Sequence, residues 1–198
     1  MPTTALLVID AQRIYTEKDA ALHCKDAANT IRRINQLIEA FQAKKGPIIY
    51  VRHQHKKDGS DTGRLFDYEG EDEGEDEFNF VEGTDEVEFS PELIVADKRH
   101  EIIKNRYSAF KNTTLHKLLA KLDANRLVIC GFMTNFCCES TAREALDLDF
   151  YVVFIVDATG TPGTDSLTQD RIRIVVAQLL EAGFSRVFKT EDYLSSEA

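Results

Sequence analysis

Apolar residues fall along this chain in two alternating rhythms. Ala5-Leu6-Leu7-Val8-Ile9 is an unbroken run ending in Asp10, and Ile48-Ile49-Tyr50-Val51 is another, following Gly46-Pro47. Runs that are apolar at every position suit strands covered on both faces, as in a parallel sheet. Between them, from about Asp26 to Lys44, Ile31, Ile34, Leu37, Ile38 and Phe41 recur at helical spacing until Gly46-Pro47 stops the pattern. Glu101-Ile102-Ile103-Lys104 predicts a short third strand. A helix through Leu115, Leu118, Leu119 and Leu122 follows, capped by Asn112, Thr113 or Thr114. The rhythm continues with strand 126–130, helix 139–148, strand 151–156, helix 169–181 closed by Gly183, and strand 186–188 leading into a polar tail. Six strands alternating with helices predict a three-layer α/β fold. Its centre is a Rossmann-like, doubly wound, mostly parallel six-stranded sheet with helices on both faces. Residues 1–198 are read as one domain, long enough for a full core.

Residues 54–92 interrupt that rhythm with Gly, Asp and Glu. Segment 67–77 holds eight carboxylates and no Lys or Arg, so the formal charge of −10 is local: setting those eight aside leaves 26 acids facing 24 bases. A solvated surface loop is the plain expectation, with a lid over a site or an arm gripping a neighbouring subunit as alternatives. The spacing from Asp72 to Glu77 does not follow the alternating ligands of an EF-hand. No basic stripe is offered to nucleic acid, so that partner is excluded. No apolar run approaches the roughly 18 residues of a membrane span, which excludes a membrane partner too. The start Met1-Pro2-Thr3-Thr4-Ala5-Leu6 lacks the basic and apolar regions of a signal peptide, so a cytoplasmic location is expected.

Candidate chemistry gathers at strand ends. Leu127-Val128-Ile129-Cys130 leads through Gly131 to Cys137 and Cys138 at the start of a helix. A thiol there is easier to ionise, because unpaired N–H groups and the helix dipole favour an anion, and the same groups can hold an oxyanion. Cys24, Cys130, Cys137 and Cys138 form no C-x-x-C pair or zinc signature, and a disulfide between adjacent Cys137 and Cys138 would be strained. Ligands of an open parallel sheet bind beyond the strand ends where strand order reverses. With strand order 3-2-1-4-5-6, Asp10 and Cys137 would meet across that point, with Lys104 near enough to join. Asp10 would then act as general base, while the Lys104 ammonium would lower the thiol pKa. Each residue alone has a plainer reading: a turn or helix-capping Asp, a surface Lys, a buried small Cys. Their coincidence is what favours catalysis.

Three segments, in order, resemble the isochorismatase-like cysteine hydrolases, which include nicotinamidases and N-carbamoylsarcosine amidases. Leu6 to Gln12 is similar to a D-x-Q motif, Lys104 to Phe110 to K-x-x-Y-S-A-F, and Gly131 to Ala142 to G-x-x-T-[DN]-x-C-V-x-x-T-A, with Asp157-Ala158 matching a later D-A. The resemblance implies a catalytic triad of Asp10, Lys104 and Cys137, and a non-proline cis peptide before Met133. It also implies an oxyanion hole made by the backbone N–H groups of Met133 and Cys137. Cys138 stands where the family usually has Val and is expected to fill space. Isochorismatases that cleave a vinyl ether lack the nucleophilic cysteine, so Cys137 implies a carbon–nitrogen bond in a small amide or carbamoyl/ureido compound. Gln12, Tyr15, Phe110 and Phe136 are candidate pocket residues. The metal motif D-x-H…H of nicotinamidases is not matched at Val51-Arg52-His53-Gln54-His55. No metal or cofactor is therefore expected, although His53 and His55 on one strand face leave a metal reading beside that of a polar strand exit. The resemblance also implies a homo-oligomer acting on a small-molecule substrate. Two other classes remain open: a non-catalytic binding module on this fold, and a thiol redox protein using Cys137 and Cys138.

Overall fold

The computed structural model describes residues 3–65, 78–96 and 99–196. The acidic segment 67–77 lies outside the described residues, and with it the choice between lid, arm and solvated loop. Six strands form one sheet: β1 (Thr3–Ile9), β2 (Ile48–His53), β3 (His100–Lys104), β4 (Ala124–Phe132), β5 (Tyr151–Gly160) and β6 (Arg186–Phe188). Their order is β3-β2-β1-β4-β5-β6 and every pairing is parallel. The order reverses between β1 and β4, where parallel sheets of this kind place their ligands.

The six described α-helices are α1 (Arg13–Thr16), α2 (Ala27–Ala43), α3 (Leu115–Lys121), α4 (Glu139–Asp147), α5 (Gln169–Glu181) and α6 (Thr190–Ser196). Alternation along β1 divides the core in two, because successive side chains leave opposite faces. Leu6 and Val8 pack with Ile31, Ile34, Leu37 and Ile38 of α2. Ala5, Leu7 and Ile9 pack with Leu115 and Leu119 of α3, Ala142 and Ala145 of α4, and Ile172 and Val176 of α5. Helix α2 ends as its sequence suggests, but the left-handed residue is Lys45 (φ 55°). The N–H groups of Lys45 and Gly46 donate back to Gln42 O and Phe41 O, a Schellman closure.

Three differences from the sequence reading have local causes. The polar tail contains α6, whose Tyr193 is buried and packs edge-on against Phe188 at a centroid distance of 6.2 Å. Asp157 Oδ1 caps its first turn, accepting from the N–H and hydroxyl of Thr190 at 2.8 Å each. Gly183 is not a left-handed cap: Leu180 O closes α5 by accepting from the N–H groups of Phe184 and Ser185. Finally, residues 78–92 are not a solvated excursion. Phe80 and Val87 are buried, Val81 bridges to His55, and Phe89 bridges to Gln12. This segment closes over the exits of β1 and β2.

Candidate active site

The floor of the site is set by how tightly β1 and β4 approach. Gly131 stands opposite Ile9 with φ +125°, and a Cβ there would lie 1.9 Å from Ile9 O, so only glycine fits. One residue beyond Ile9, Asp10 takes a left-handed conformation (φ 47°), tolerable for a short polar side chain. After β4, the Phe132–Met133 peptide is cis. A single π turn, Thr134–Cys138, then leads directly into α4 and carries Cys137. Two hydroxyls pin this turn: Thr134 donates to Thr159 Oγ1 at 2.9 Å, and Thr141 donates to Cys137 O at 2.7 Å. Thr141 Oγ1 also accepts from Ala109 N at 3.0 Å, tying the cysteine turn to the segment after Lys104.

Asp10, Lys104 and Cys137 come together and are buried. Lys104 leaves the edge strand β3 and reaches past the end of β2. Its Nζ sits 2.7 Å from Asp10 Oδ2 as an ion pair, 3.3 Å from Cys137 Sγ and 3.0 Å from His53 Nδ1. Three N–H donors thus meet three acceptors. Asp10 Oδ1 is buried with no hydrogen-bond donor among the described residues, and the Asp10 carboxylate lies within 4.8 Å of Cys137 Sγ.

Burial pushes the Cys137 thiol up to about 12, only partly offset by the Lys104 ammonium. This corrects the expectation of a lowered thiol pKa: removal from water outweighs the nearby cation, so the resting sulfur is a thiol. Burial also raises the Asp10 carboxyl, against the lowering effect of Lys104, which makes it a stronger base than a surface aspartate. Lys104 is itself raised, because Asp10 and Cys137 outweigh its burial, and it stays an ammonium.

His53 completes the cluster. It ends β2, opposite Lys104 in register, and its position between the ends of β1 and β3 is the signal that could have revealed it. Burial and the Lys104 charge hold its imidazole well below the usual range. The donor atoms of Asp10, His53 and Cys137 are spaced as for a metal, but Lys104 Nζ already sits among them. His53 Nε2 and His55 Nε2 are hydrogen-bonded to each other at 3.0 Å. These donors face one another or the ammonium, so the residues do not fit a metal in this arrangement.

A cavity of about 170 Å³ opens above Cys137. Tyr15, Phe80, Tyr107 and Phe136 wall it, His53 and Met133 flank the sulfur, and Leu22, Leu65 and Asn79 complete the lining. Tyr15 stacks on Phe132 at 5.3 Å, and Phe80 stacks on His53 at 4.5 Å. Of the four expected pocket residues, Tyr15 and Phe136 line this cavity, whereas Gln12 and Phe110 do not. Gln12 is a clamp: its Nε2 donates to His53 O and Val87 O, and its Oε1 accepts from His53 N. Phe110 packs in the core against Phe150 at 5.7 Å. Phe80, Asn79, Leu22 and Leu65 were missed because no strand-end rule places residues of long connections. Tyr107 stood within the lysine motif.

All four cysteines are free and buried, and Cys138 packs in the core on the α4 side of the sheet. Among the described residues, no helix is long and apolar enough to cross a membrane.

The isochorismatase domain model matches residues 4–184. Nicotinamidase 3 of Arabidopsis thaliana is 33% identical over 159 residues, 79% of this chain and 73% of its own length. A second Arabidopsis relative, named a probable inactive nicotinamidase, is 31% identical over 160 residues, 79% of this chain and 80% of its own. The crystal structure of a cysteine hydrolase from Pseudomonas syringae pv. phaseolicola superposes with a TM-score of 0.87 at 28% identity, covering 97% of this chain and 91% of that one.

Proposed function

The chain belongs to the isochorismatase domain family of hydrolases, and on that premise we propose that it is a cysteine hydrolase cleaving a carbon–nitrogen bond in a small amide or carbamoyl/ureido compound. The observation that carries this reading is the buried Asp10 oxygen without a hydrogen-bond donor, beside a thiol that a lysine ammonium also touches. In the proposed path, Asp10 takes the Cys137 proton as Sγ attacks the carbonyl carbon, and the C=O electron pair moves to oxygen. Backbone N–H groups of Met133 and Cys137 are assigned to that oxyanion. Collapse of the tetrahedral species breaks the C–N bond, and Asp10 returns the proton to the leaving nitrogen. Water, deprotonated by Asp10, then attacks the thioester. The Cys137 thiolate leaves and recovers its proton from Asp10.

The cavity narrows the substrate class. Its volume is close to the roughly 150 Å³ of an engineered cavity that holds benzene. None of its described wall residues is Lys, Arg, Asp or Glu. An uncharged compound of about one ring, presenting a carboxamide to Cys137, suits these walls better than a carboxylate-bearing ureide, whose charge would find no partner among the described wall residues.

The test is ammonia release from a panel of neutral amides and anionic ureides. Cys137→Ala should lower turnover by about a thousandfold or more, while Cys138→Ala keeps most of it. Equal turnover by wild type and Cys137→Ala would end the mechanism. A binding module is the second reading, favoured by the relative named inactive. Ligand binding by a wild-type protein that turns over no amide in the panel would select it.

A further inference from the structure

The lysine of the site is held by a line of residues that the proposed reaction does not use. Lys104 Nζ donates to His53 Nδ1 at 3.0 Å, so that nitrogen must carry a lone pair and the proton of a neutral His53 must sit on Nε2. That Nε2 is 3.0 Å from His55 Nε2, which must therefore be an acceptor, placing the His55 proton on Nδ1. His55 Nδ1 lies 3.4 Å from Asp61 Oδ1. Only one assignment of protons satisfies the two nitrogen–nitrogen contacts, and it leaves the His55 N–H facing the Asp61 carboxylate. Burial and the cations Lys104 and Arg106 hold both imidazoles below their usual range, while Asp61 opposes them at His55.

Asp61 is itself anchored. Its Oδ1 accepts from Lys56 N at 3.0 Å and its Oδ2 from Asn105 Nδ2 at 3.1 Å, and Arg106 Nη1 donates to its backbone carbonyl. The line ends in a polar groove of about 220 Å³ lined by Gln54, His55, Asp61 and Asn105, separate from the cavity above Cys137. His55 belongs to the groove and not to that cavity.

We infer that His53, His55 and Asp61 are positioning residues. They fix one tautomer of each imidazole so that the third N–H of Lys104 is always engaged and its other two stay aimed at Asp10 and Cys137. If His53 carried its proton on Nδ1 instead, an N–H would face the ammonium and turn Lys104 away from the sulfur. The inference rests on the proposed roles of Lys104 and Cys137, but it can be read without any substrate.

The experiment is alkylation of Cys137 by iodoacetamide against pH in the full chain. His55→Leu removes the acceptor, and the loss of one hydrogen bond in a charged network corresponds to about tenfold in rate near neutrality, with the profile displaced to higher pH. His55→Gln offers an amide oxygen at the place of Nε2 and should recover the wild-type rate to within about threefold. An unchanged His55→Leu profile, or equal slowing in both variants, overturns the inference. Should His55→Leu fail to fold, nitrogen-15 spectra of the wild type decide: His53 must be protonated on Nε2 and His55 on Nδ1, and the opposite tautomer at either ring overturns it. Because alkylation and tautomers need no turnover, these failures leave the hydrolase reading standing. Conversely, full turnover by Cys137→Ala would end that reading without changing the tautomers.

Discussion

Cys137 is a residue whose chemistry depends on a neighbour more than on itself. Burial holds it as a thiol up to about 12, so the nucleophile is made only when Asp10 removes the proton during attack. The pH dependence follows with a definite sign. Asp10 must be ionised to act, and its pKa is raised above 3.8, so kcat/KM should fall with decreasing pH at a higher pH than an ordinary aspartate would produce. Lys104 is raised above 10.5, so no alkaline loss from its neutralisation should appear below that value. A pH–rate profile with a neutral amide checks both limbs. A loss of rate centred between neutrality and pH 9 would contradict the assignment, and alkylation of Cys137 that levels off by pH 9.0 would contradict the raised thiol.

At the scale of elements, the site is assembled from strand ends and kept there by the connections around them. Gln12, one turn beyond Asp10, holds both the N–H and the carbonyl of His53, so the ends of β1 and β2 are fixed to each other by a side chain. Helix α6 plays a comparable part on the α2 side of the sheet. Asp157 caps it and also pairs with Arg33 of α2 at 3.3 Å, which gives the Asp-Ala motif within β5 a structural purpose. Tyr193 is the buried anchor of that helix. Tyr193→Ala should destabilise the fold by about 3 kcal/mol through lost burial and the cavity left behind, measured by urea denaturation. A change below about 0.5 kcal/mol would mean that α6 packs only loosely.

Across the whole molecule, one buried arginine joins both helical layers at the ligand-binding rim of the sheet. Arg173 of α5 donates to Thr159 O of β5 and to Thr30 Oγ1 of α2, and its Nη1 lies 3.5 Å from Asp26 Oδ2. Thr159 in turn receives Thr134 of the cysteine turn. Arg173→Met should therefore cost about 3 kcal/mol, from charged hydrogen bonds lost and a buried carbonyl left unpaired. It should also lower kcat more than it raises KM, because the turn carrying Cys137 loses support. Thermal denaturation and steady-state kinetics on the same preparation check both parts.

The alternation of apolar runs and helical stripes determined the α/β class, the six strands and their approximate bounds, because burial on two faces or on one leaves a direct trace in residue pattern. The strand-end positions of Asp10, Lys104 and Cys137 were legible for the same reason, given the rule for where parallel sheets bind ligands. His53 stood at a strand end as well, but only the strand order put it between its partners, and only side-chain geometry turned it from a metal candidate into an acceptor for lysine. The tertiary structure alone decided that Gln12 is a clamp and Phe110 a core residue, and that Phe80 and Asn79 reach the cavity across a long connection. It also reversed the sign of the thiol shift. Residue types near a cysteine report which charges are present, whereas its pKa depends on how far water is excluded, and that is a property of packing.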